Sequence, residues 1–513
     1  MKDLLIKYRS GWLDLKLLPA ALSGLLLAAA FPPIGQGWIG FVALVPLILT
    51  AERRPFASGF ICGLFFFAPL LYWLNIVMTN YGGLAPFFSV VAWMFLCAYL
   101  ALFFAATLGL TFWLKRQLGV LPIISLPFIW VAFEYLRGTL LTGFPWGLYG
   151  YAAIDMTLLR QVADLCGVYG LSWLFVLCNS ALALIYQKRL QSVAIFGLLT
   201  SSLLLAGAFY YGQHSLRQGT KVLPQLKVGL IQGNIQQQHK WDRNFRQQTL
   251  DRYRSLSQSA AAEGAALLIW PEAATPFYMQ DDTIDSRQVL QVPLETNRAL
   301  LFGGPSYQAN PDQSYAYHNS AFLLGSDGQL LGRSDKIHLV PFGEYVPLGK
   351  LLFFVNKLVT GVGDFTPGTV NPLAMNGHDI GVLICYEAIF PELAREYVRN
   401  GSDLLVNLTN DAWFGRSSAP RQLLDMTRMR AIENRIWVAR AANTGISAII
   451  SPDGQTYSET SLFEAASVVG SVGLGSRYSL YRQTGDILPL ICLFLTAICL
   501  LFLFSRRRKP SDR

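Results

Sequence analysis

The chain has 513 residues, of which 53% are hydrophobic and 14% charged, against roughly 25% charged in ordinary soluble domains. That balance excludes a disordered chain and argues against a wholly soluble one. The net charge is +9, and the excess sits at the edges of apolar segments. Residues 1–211 hold 12 Lys/Arg and 6 Asp/Glu, whereas residues 212–485 hold 24 of each. This pattern orients a chain in a bilayer; it is not a nucleic-acid footprint.

A helix spans a bilayer with about 20 mostly apolar residues. Eight such segments are predicted, at 15–33, 37–52, 56–79, 87–114, 119–136, 166–186, 192–211 and 486–505. The first is not read as a cleaved signal peptide, because it is long and a second apolar run follows at once. Pro122 and Pro127 interrupt the fifth. With a cytoplasmic N-terminus, the inside segments carry Lys2, Lys7, Arg9, Lys16, Arg53, Arg54, Lys115, Arg116, Lys188, Arg189, the run from Arg506 to Lys509, and Arg513. The short outside loops carry only Arg137 and Arg160. That bias sets the orientation. The predicted organisation is a membrane domain of seven transmembrane helices over 1–211, an extracytoplasmic domain over 212–485, and a last helix with a basic cytoplasmic tail over 486–513.

Glu134 lies three residues before Arg137, near the end of the fifth segment. It reads as an i,i+3 partner of that arginine more readily than as a functional intramembrane acid. The loop Gly143–Tyr151 is rich in Gly and aromatics. It reads equally as an interfacial belt or as the floor of a lipid site.

Residues 212–485 read as α/β. Short β-rich runs are predicted as strands at Lys227–Asn234, Ala266–Glu272, Ala299–Tyr307, His318–Gly325, Gln329–Leu339, Asp379–Glu387 and Asp403–Asn410. A last pair lies around Trp437–Ala442 and Ile446–Ser451. Helices are predicted over Phe245–Glu263, Pro391–Asn400 and Arg421–Arg435, and Gly361–Gly368 reads as a loop. Alternating strands and helices imply α/β layers.

Three of the strands end in polar residues: Trp270-Pro271-Glu272, Ser334-Asp335-Lys336 and Cys385-Tyr386-Glu387. Ligands of α/β proteins gather at such carboxyl ends. A thiol, a carboxylate and an ammonium form a workable set for acyl transfer, with Cys385 as nucleophile, Glu272 taking its proton and Lys336 stabilising an oxyanion. Each also has a bland reading: Cys385 as core, and Glu272 with Lys336 as a salt bridge. Six of the seven cysteines lie in apolar runs, and Cys385 alone lies in the polar region, without a CxxC or His/Cys cluster. A structural zinc site is therefore not expected. A papain-type Cys–His–Asn site is the physical competitor. All five histidines (His214, His239, His318, His338 and His378) precede Cys385, which does not match the papain order.

Several longer runs extend these ends: WPEAATP from Trp270, DKIHLVPFGEYVP from Asp335, GDFTPG from Gly363, ICYEAIFPE from Ile384, NLTNDAWFG from Asn407 and RAIENRIWVARAANTG from Arg430. Over 227–454 the sequence resembles the nitrilase, or carbon–nitrogen hydrolase, superfamily. Nearly the whole chain resembles one branch of it, the bacterial apolipoprotein N-acyltransferases. The resemblance implies an α-helical transmembrane bundle of about eight helices joined to an αββα sandwich. It implies a Glu–Lys–Cys triad of Glu272, Lys336 and Cys385. Glu344 and Glu387 match further acids needed for activity, and Tyr386 matches a residue supporting the site. Trp241, Trp413 and Phe414 match aromatic positions near the substrate path.

The chemistry so implied is ping-pong and needs no metal or diffusible cofactor. Cys385 takes an acyl chain from a membrane phospholipid as a thioester. The N-terminal amine of a diacylglyceryl-cysteine apolipoprotein then accepts it, the last step of lipoprotein maturation. The implied location is the cell inner membrane, multi-pass, with the catalytic domain periplasmic and both termini cytoplasmic. Two other readings share the triad: a membrane-anchored amidase and a lipid thioesterase. A transporter with an accessory domain would need polar residues along its helices, and apart from Glu134 the segments carry almost none.

Overall fold

The computed structural model describes residues 15–188, 191–218, 223–345 and 365–507. Lys2, Lys7, Arg9 and Arg189, the tail residues Arg508, Lys509 and Arg513, Val346–Pro347 and Gly361–Asp364 lie outside the described residues. The chain falls into two compact units. One, helical, holds the residues up to Tyr72, Val90–Arg217 and those from Asp486. The other holds Trp73–Ser89 and Gln218–Gly485.

Among the described residues of the chain, four helices are long and apolar enough to cross a membrane: Pro86–Leu118, Pro122–Thr142, Leu159–Lys188 and Ser192–Arg217. The pair Pro55–Leu70 and Leu74–Tyr81, bent by 58°, makes a fifth if taken as one broken span. The count by length is thus four to five, not eight. The first and last predicted segments appear as shorter apolar helices, Leu18–Ala29 and Ile487–Leu503.

The segment 37–52 is not one helix: it forms a 3-10 turn at Gly37–Phe41 and a short helix at Val45–Thr50. Gly37, Gly40 and Pro46 interrupt the helical ladder there. Side chains take over the freed backbone groups: Leu44 N–H donates to Asn179 Oδ1 at 2.8 Å and Leu47 N–H to Ser23 Oγ at 3.0 Å. Irregular backbone at such depth persists only with partners of this kind. The two prolines of the fifth segment, by contrast, are absorbed into one helix: Pro122 starts it, where a missing N–H costs nothing, and Pro127 lies inside it at the loss of one helical hydrogen bond.

Glu134 and Arg137 are both buried, and the loop 143–151 engages each of them. Glu134 Oε1 accepts from Tyr149 N–H at 2.8 Å, and Arg137 donates to the carbonyls of Phe144 and Trp146 at 2.8 and 2.7 Å. Trp146 and Tyr149 are themselves buried, with Tyr149 stacked on Phe175. The pair therefore pins an inward-folded loop within the helical unit.

The second unit carries two six-stranded sheets, ordered β12-β1-β2-β3-β4-β5 and β11-β10-β9-β8-β7-β6. Their ranges are β1 Gln225–Gln232, β2 Leu267–Ile269, β3 Ala299–Ala309, β4 Tyr315–Leu324, β5 Leu330–Asp335 and β6 Leu373–Met375. The remainder are β7 His378–Ile384, β8 Leu404–Thr409, β9 Val438–Ala442, β10 Ala448–Ile450, β11 Thr456–Tyr457 and β12 Ala466–Gly473. The parallel pairs β1–β2, β2–β3, β7–β8 and β8–β9 lie at the middle of each sheet, with antiparallel strands at the edges.

Side-chain alternation sorts each strand between two cores. Val228, Leu230, Leu267, Ile269 and Leu301 point into a core shared with Val382, Ile384, Val406 and Leu408 of the other sheet. Ile231, Leu268, Leu300 and Phe302 face the helices Arg246–Ala262 and Ile284–Thr296, through Leu250, Tyr253 and Val289. The helices Pro391–Arg399 and Ala419–Asn434 lie against the second sheet. This is the αββα sandwich. Leu301→Ala should cost about 2–5 kcal/mol, since the side chain is fully buried between the sheets. The check is thermal unfolding of the detergent-purified chain, which should show a lower midpoint.

Candidate active site

The candidate residues converge where β2, β5, β7 and β8 end. Glu272 follows β2 and opens a sharp turn in which Ala273 adopts φ +47°. That turn crosses Gly303 of β3 so closely that a Cβ there would lie 2.7 Å from Glu272 Cα. Only glycine leaves room. Lys336 follows β5 directly, and its N–H donates to Asn319 O of β4 at 2.8 Å. Glu344 closes a turn in which its Oε2 accepts from Val340 N–H at 2.8 Å.

These three side chains meet. Lys336 Nζ lies 3.0 Å from Glu344 Oε1 and 3.4 Å from Glu272 Oε1. Asn319 Nδ2 donates to the same two oxygens, at 2.8 and 2.9 Å. Asn410 N–H, after β8, donates to Glu272 Oε2 at 3.0 Å. Burial alone would raise the Glu272 carboxyl, but Lys336, Asn319, Lys240 and the Cys385 thiol together hold it below the ordinary glutamate value. Burial would likewise strip the Lys336 proton, yet Glu344 and Glu272 reverse that and keep its ammonium firmly charged.

Cys385 sits at the corner where β7 turns into a 3-10 turn, Cys385–Ile389. Its φ is +56°, a conformation that costs energy for any side chain but glycine and clusters at functional sites. The thiol is buried, and Thr409 Oγ1 lies 3.5 Å from the sulfur. Burial first, then the Glu272 charge, push its pKa up to about 12, against the opposing pull of Lys336 and Thr409. Thr409 also donates to Asp411 Oδ1 at 2.7 Å, and Arg440 holds Asp411 Oδ2 at 2.8 Å.

Glu387 is part of the framework of the site. Its Oε2 accepts from Ile384 N–H at 2.7 Å, and its Oε1 accepts from Ile337 and His338 N–H at 2.6 and 2.9 Å. One carboxyl thus ties the Cys385 corner to the chain just past Lys336. Burial raises its pKa to about 7 despite the three N–H donors.

Tyr386 is half-buried and packs edge-on against Phe390 at 5.2 Å. His338 stacks on Phe390 at 3.7 Å. Burial, then Lys336, depress its pKa to about 4, which makes it a poor base at neutral pH. Trp413 and Phe414 stand together in the turn after β8, against Tyr81 and Trp73 at 5.3 and 4.9 Å. Trp241 lies in a different loop and is 39% exposed.

Three site residues escaped the sequence reading: Asn319, which joins the two carboxylates, Thr409 beside the sulfur, and Lys240, whose Nζ donates to Glu272 O at 3.0 Å. The NLTNDAWFG run could have flagged Thr409; nothing local singles out Asn319. Asn319→Leu should raise the Glu272 pKa toward the ordinary value and weaken folding by about 1–3 kcal/mol, since two buried oxygens lose a donor. A thermal melt and the pH dependence of turnover measure both. An unchanged acid limb would refute the shared-donor role.

Family models match both parts of the chain: the carbon–nitrogen hydrolase model over residues 227–481, and that of the apolipoprotein N-acyltransferase N-terminal domain over 23–181. The chain is 44% identical to the apolipoprotein N-acyltransferase of Geobacter metallireducens, over 96% of this chain and 95% of that one. It is 32% identical to those of Haemophilus ducreyi, over 94% of each chain, and Nitrosomonas europaea, over 91% of this chain and 93% of that one. Among solved structures, an amidase from Nesterenkonia sp. aligns at 22% identity and a TM-score of 0.37, covering 52% of this chain and 97% of the amidase. By identity over nearly its full length, this chain belongs to the apolipoprotein N-acyltransferase family.

Proposed function

We propose that this chain moves a fatty acyl group from a membrane phospholipid to the N-terminal amine of a diacylglyceryl-cysteine apolipoprotein, through a thioester on Cys385. The observation that carries the reading is the convergence of Cys385, Glu272 and Lys336 in one buried site, on a chain whose other unit is apolar helix. The charge bias of the loops supports an inner-membrane protein with residues 212–485 on the periplasmic side and both termini cytoplasmic. In this reading 1–211 is the membrane domain and 486–513 the last helix and tail.

In the first half-reaction the Cys385 sulfur attacks the ester carbonyl of the phospholipid. Its proton passes to Glu272. The negative charge that develops on the carbonyl oxygen falls to Lys336 and a backbone N–H near Tyr386. The carbon–oxygen bond to glycerol then breaks, the leaving oxygen takes the proton from Glu272, and lysophospholipid departs. In the second half-reaction the free amine attacks the thioester and gives a proton to Glu272. The carbon–sulfur bond breaks, an amide forms, and Cys385 recovers its proton.

A thiol near 12 beside a carboxylate held low does not ionise at rest. The thiolate therefore never accumulates: proton transfer accompanies formation of the carbon–sulfur bond, and charge moves from Glu272 toward the oxyanion beside Lys336. Alkylation of Cys385 by iodoacetamide should accordingly be slow at neutral pH and still be rising at alkaline pH, where acyl transfer no longer rises. A fully reactive thiol at neutral pH would contradict the concerted step.

Cys385→Ala should abolish transfer while the protein still inserts in the membrane, and Glu272→Gln should block the acyl-enzyme burst. Incubating the unaltered chain with labelled phospholipid should leave label on Cys385, recoverable by mass spectrometry. Adding a diacylated lipopeptide should chase it onto the peptide amine. Release of free fatty acid with no labelled lipopeptide would favour a hydrolase, and full activity of Cys385→Ala would end the proposal.

A further inference from the structure

Lys240 is 3% exposed, yet it is neither solvated nor paired directly with a carboxylate: its one described hydrogen bond goes to the Glu272 main-chain carbonyl, at 3.0 Å. Burying an ammonium costs energy that a framework role alone does not recover. The loop that carries it is already anchored elsewhere. Asn234 N–H donates to Asn443 O at 2.9 Å, Ile235 N–H to Asn443 Oδ1 at 2.9 Å, and Asn410 Nδ2 to Gln237 Oε1 at 2.8 Å. Lys240 is the inward anchor at the far end of this loop, one residue before the exposed Trp241.

The charges of the site explain what it adds. Glu272 and Glu344 share a single cation, Lys336. Two buried carboxylates against one ammonium leave a negative charge that opposes both an ionised Glu272 and any charge on sulfur. Facing Lys240 are Glu272, from the turn after β2, and Cys385, from the corner after β7; its own loop adds His239 and Asp242. A second ammonium here balances the two carboxylates. The balance persists when the proton moves from sulfur to Glu272, because the charge lost from the carboxylate then appears on the oxyanion beside Lys336.

We propose that Lys240 is a positioning residue for acyl transfer: its ammonium fixes the main chain of Glu272 and supplies the second positive charge that keeps this base ionised beside Cys385. The proposal rests on the acyl-enzyme reading above. Burial lowers the Lys240 pKa to about 8, with Glu272 and Cys385 pulling the other way, so the charge is lost at mildly alkaline pH.

The test follows the burst of Cys385 acylation from a phospholipid carrying a radiolabelled acyl chain, across pH, with the full-length detergent-purified protein. In the unaltered enzyme the rate should fall as pH rises through about 8, where Lys240 gives up its proton. Lys240→Arg keeps the charge and should lose that alkaline fall, because a guanidinium does not deprotonate there. On its acid limb Lys240→Met should slow acylation by about tenfold, the factor carried by one unit in the base's pKa. Its acid limb should move to higher pH, because Glu272 then protonates more easily.

Slowing by Lys240→Met with both limbs unmoved would make the residue a framework lysine and overturn the proposal. So would a Lys240→Arg profile that superposes on the unaltered one, and that comparison decides the matter even if Lys240→Met fails to fold. Absence of label on Cys385 in the unaltered enzyme would instead bring down the acyl-enzyme reading and this inference with it.

Discussion

One buried ammonium between two carboxylates sets the terms for the rest of the catalytic unit. Lys336 is 1% exposed and lies within 3.4 Å of both Glu272 and Glu344. Removing one partner of such a group leaves an uncompensated charge in low dielectric, a cost of about 3–5 kcal/mol. Its geometry must therefore be held from several sides. The end of β5 delivers the lysine, β4 delivers Asn319 to both carboxylates, and the close approach at Gly303 lets the Glu272 turn pass over β3. The sandwich core beneath these ends makes the arrangement rigid, because strand ends over a packed core have little freedom to drift.

The proposed nucleophile is held by a different device. Cys385 occupies a left-handed corner, which persists only where surrounding contacts over-determine it. Glu387 supplies them, taking Ile384 N–H on one oxygen and the two N–H groups just after Lys336 on the other. The same carboxyl thus fixes the sulfur and registers it against the lysine. A glutamine would offer one accepting oxygen and an NH2 that cannot accept, so it could serve only one of the two sides. The acidic side chain is explained by geometry more than by charge.

Most of this architecture was legible along the chain, for a physical reason. Nine strands could be read because Val/Ile/Leu runs stop at polar or turn residues, as in Asp379–Glu387 and Asp403–Asn410. The strand β12, ASVVGSVG, was missed because small polar residues and glycines dilute its β signal. The helix Ile284–Thr296 was hidden by its polar sequence and by Pro293. On the membrane side, composition predicted apolarity correctly but not continuity. In 37–52 Gly37, Gly40 and Pro46 break the backbone, and the break persists because Asn179 and Ser23, remote in sequence, accept the N–H groups that a helix would have paired. The proposed triad was readable because each member follows the end of a strand. Asn319 and Lys240 were not, since β4 pairing and a distant loop carry them to the site.

The same limit applies to where one unit ends and the next begins. Residues 73–89 take in the end of the predicted segment 56–79, the loop after it and the start of 87–114, so hydropathy assigns them to the membrane part. In the structure they cluster with the catalytic unit. Trp73 meets Phe414 and Tyr81 meets Trp413 in edge-on ring pairs, and Gly415 comes close enough to Ile76 that an added Cβ would lie 3.3 Å from its side chain. Edge-to-face pairs of this kind add about 0.5–1.5 kcal/mol each beyond the area they bury. That is a sizeable contribution for a segment of 17 residues, the stretch from Trp73 to Ser89. The two aromatics that the family resemblance placed near the substrate path are therefore also the residues that hold this segment. A substitution at Trp413 or Phe414 changes both at once, so loss of activity there cannot by itself be assigned to substrate contact.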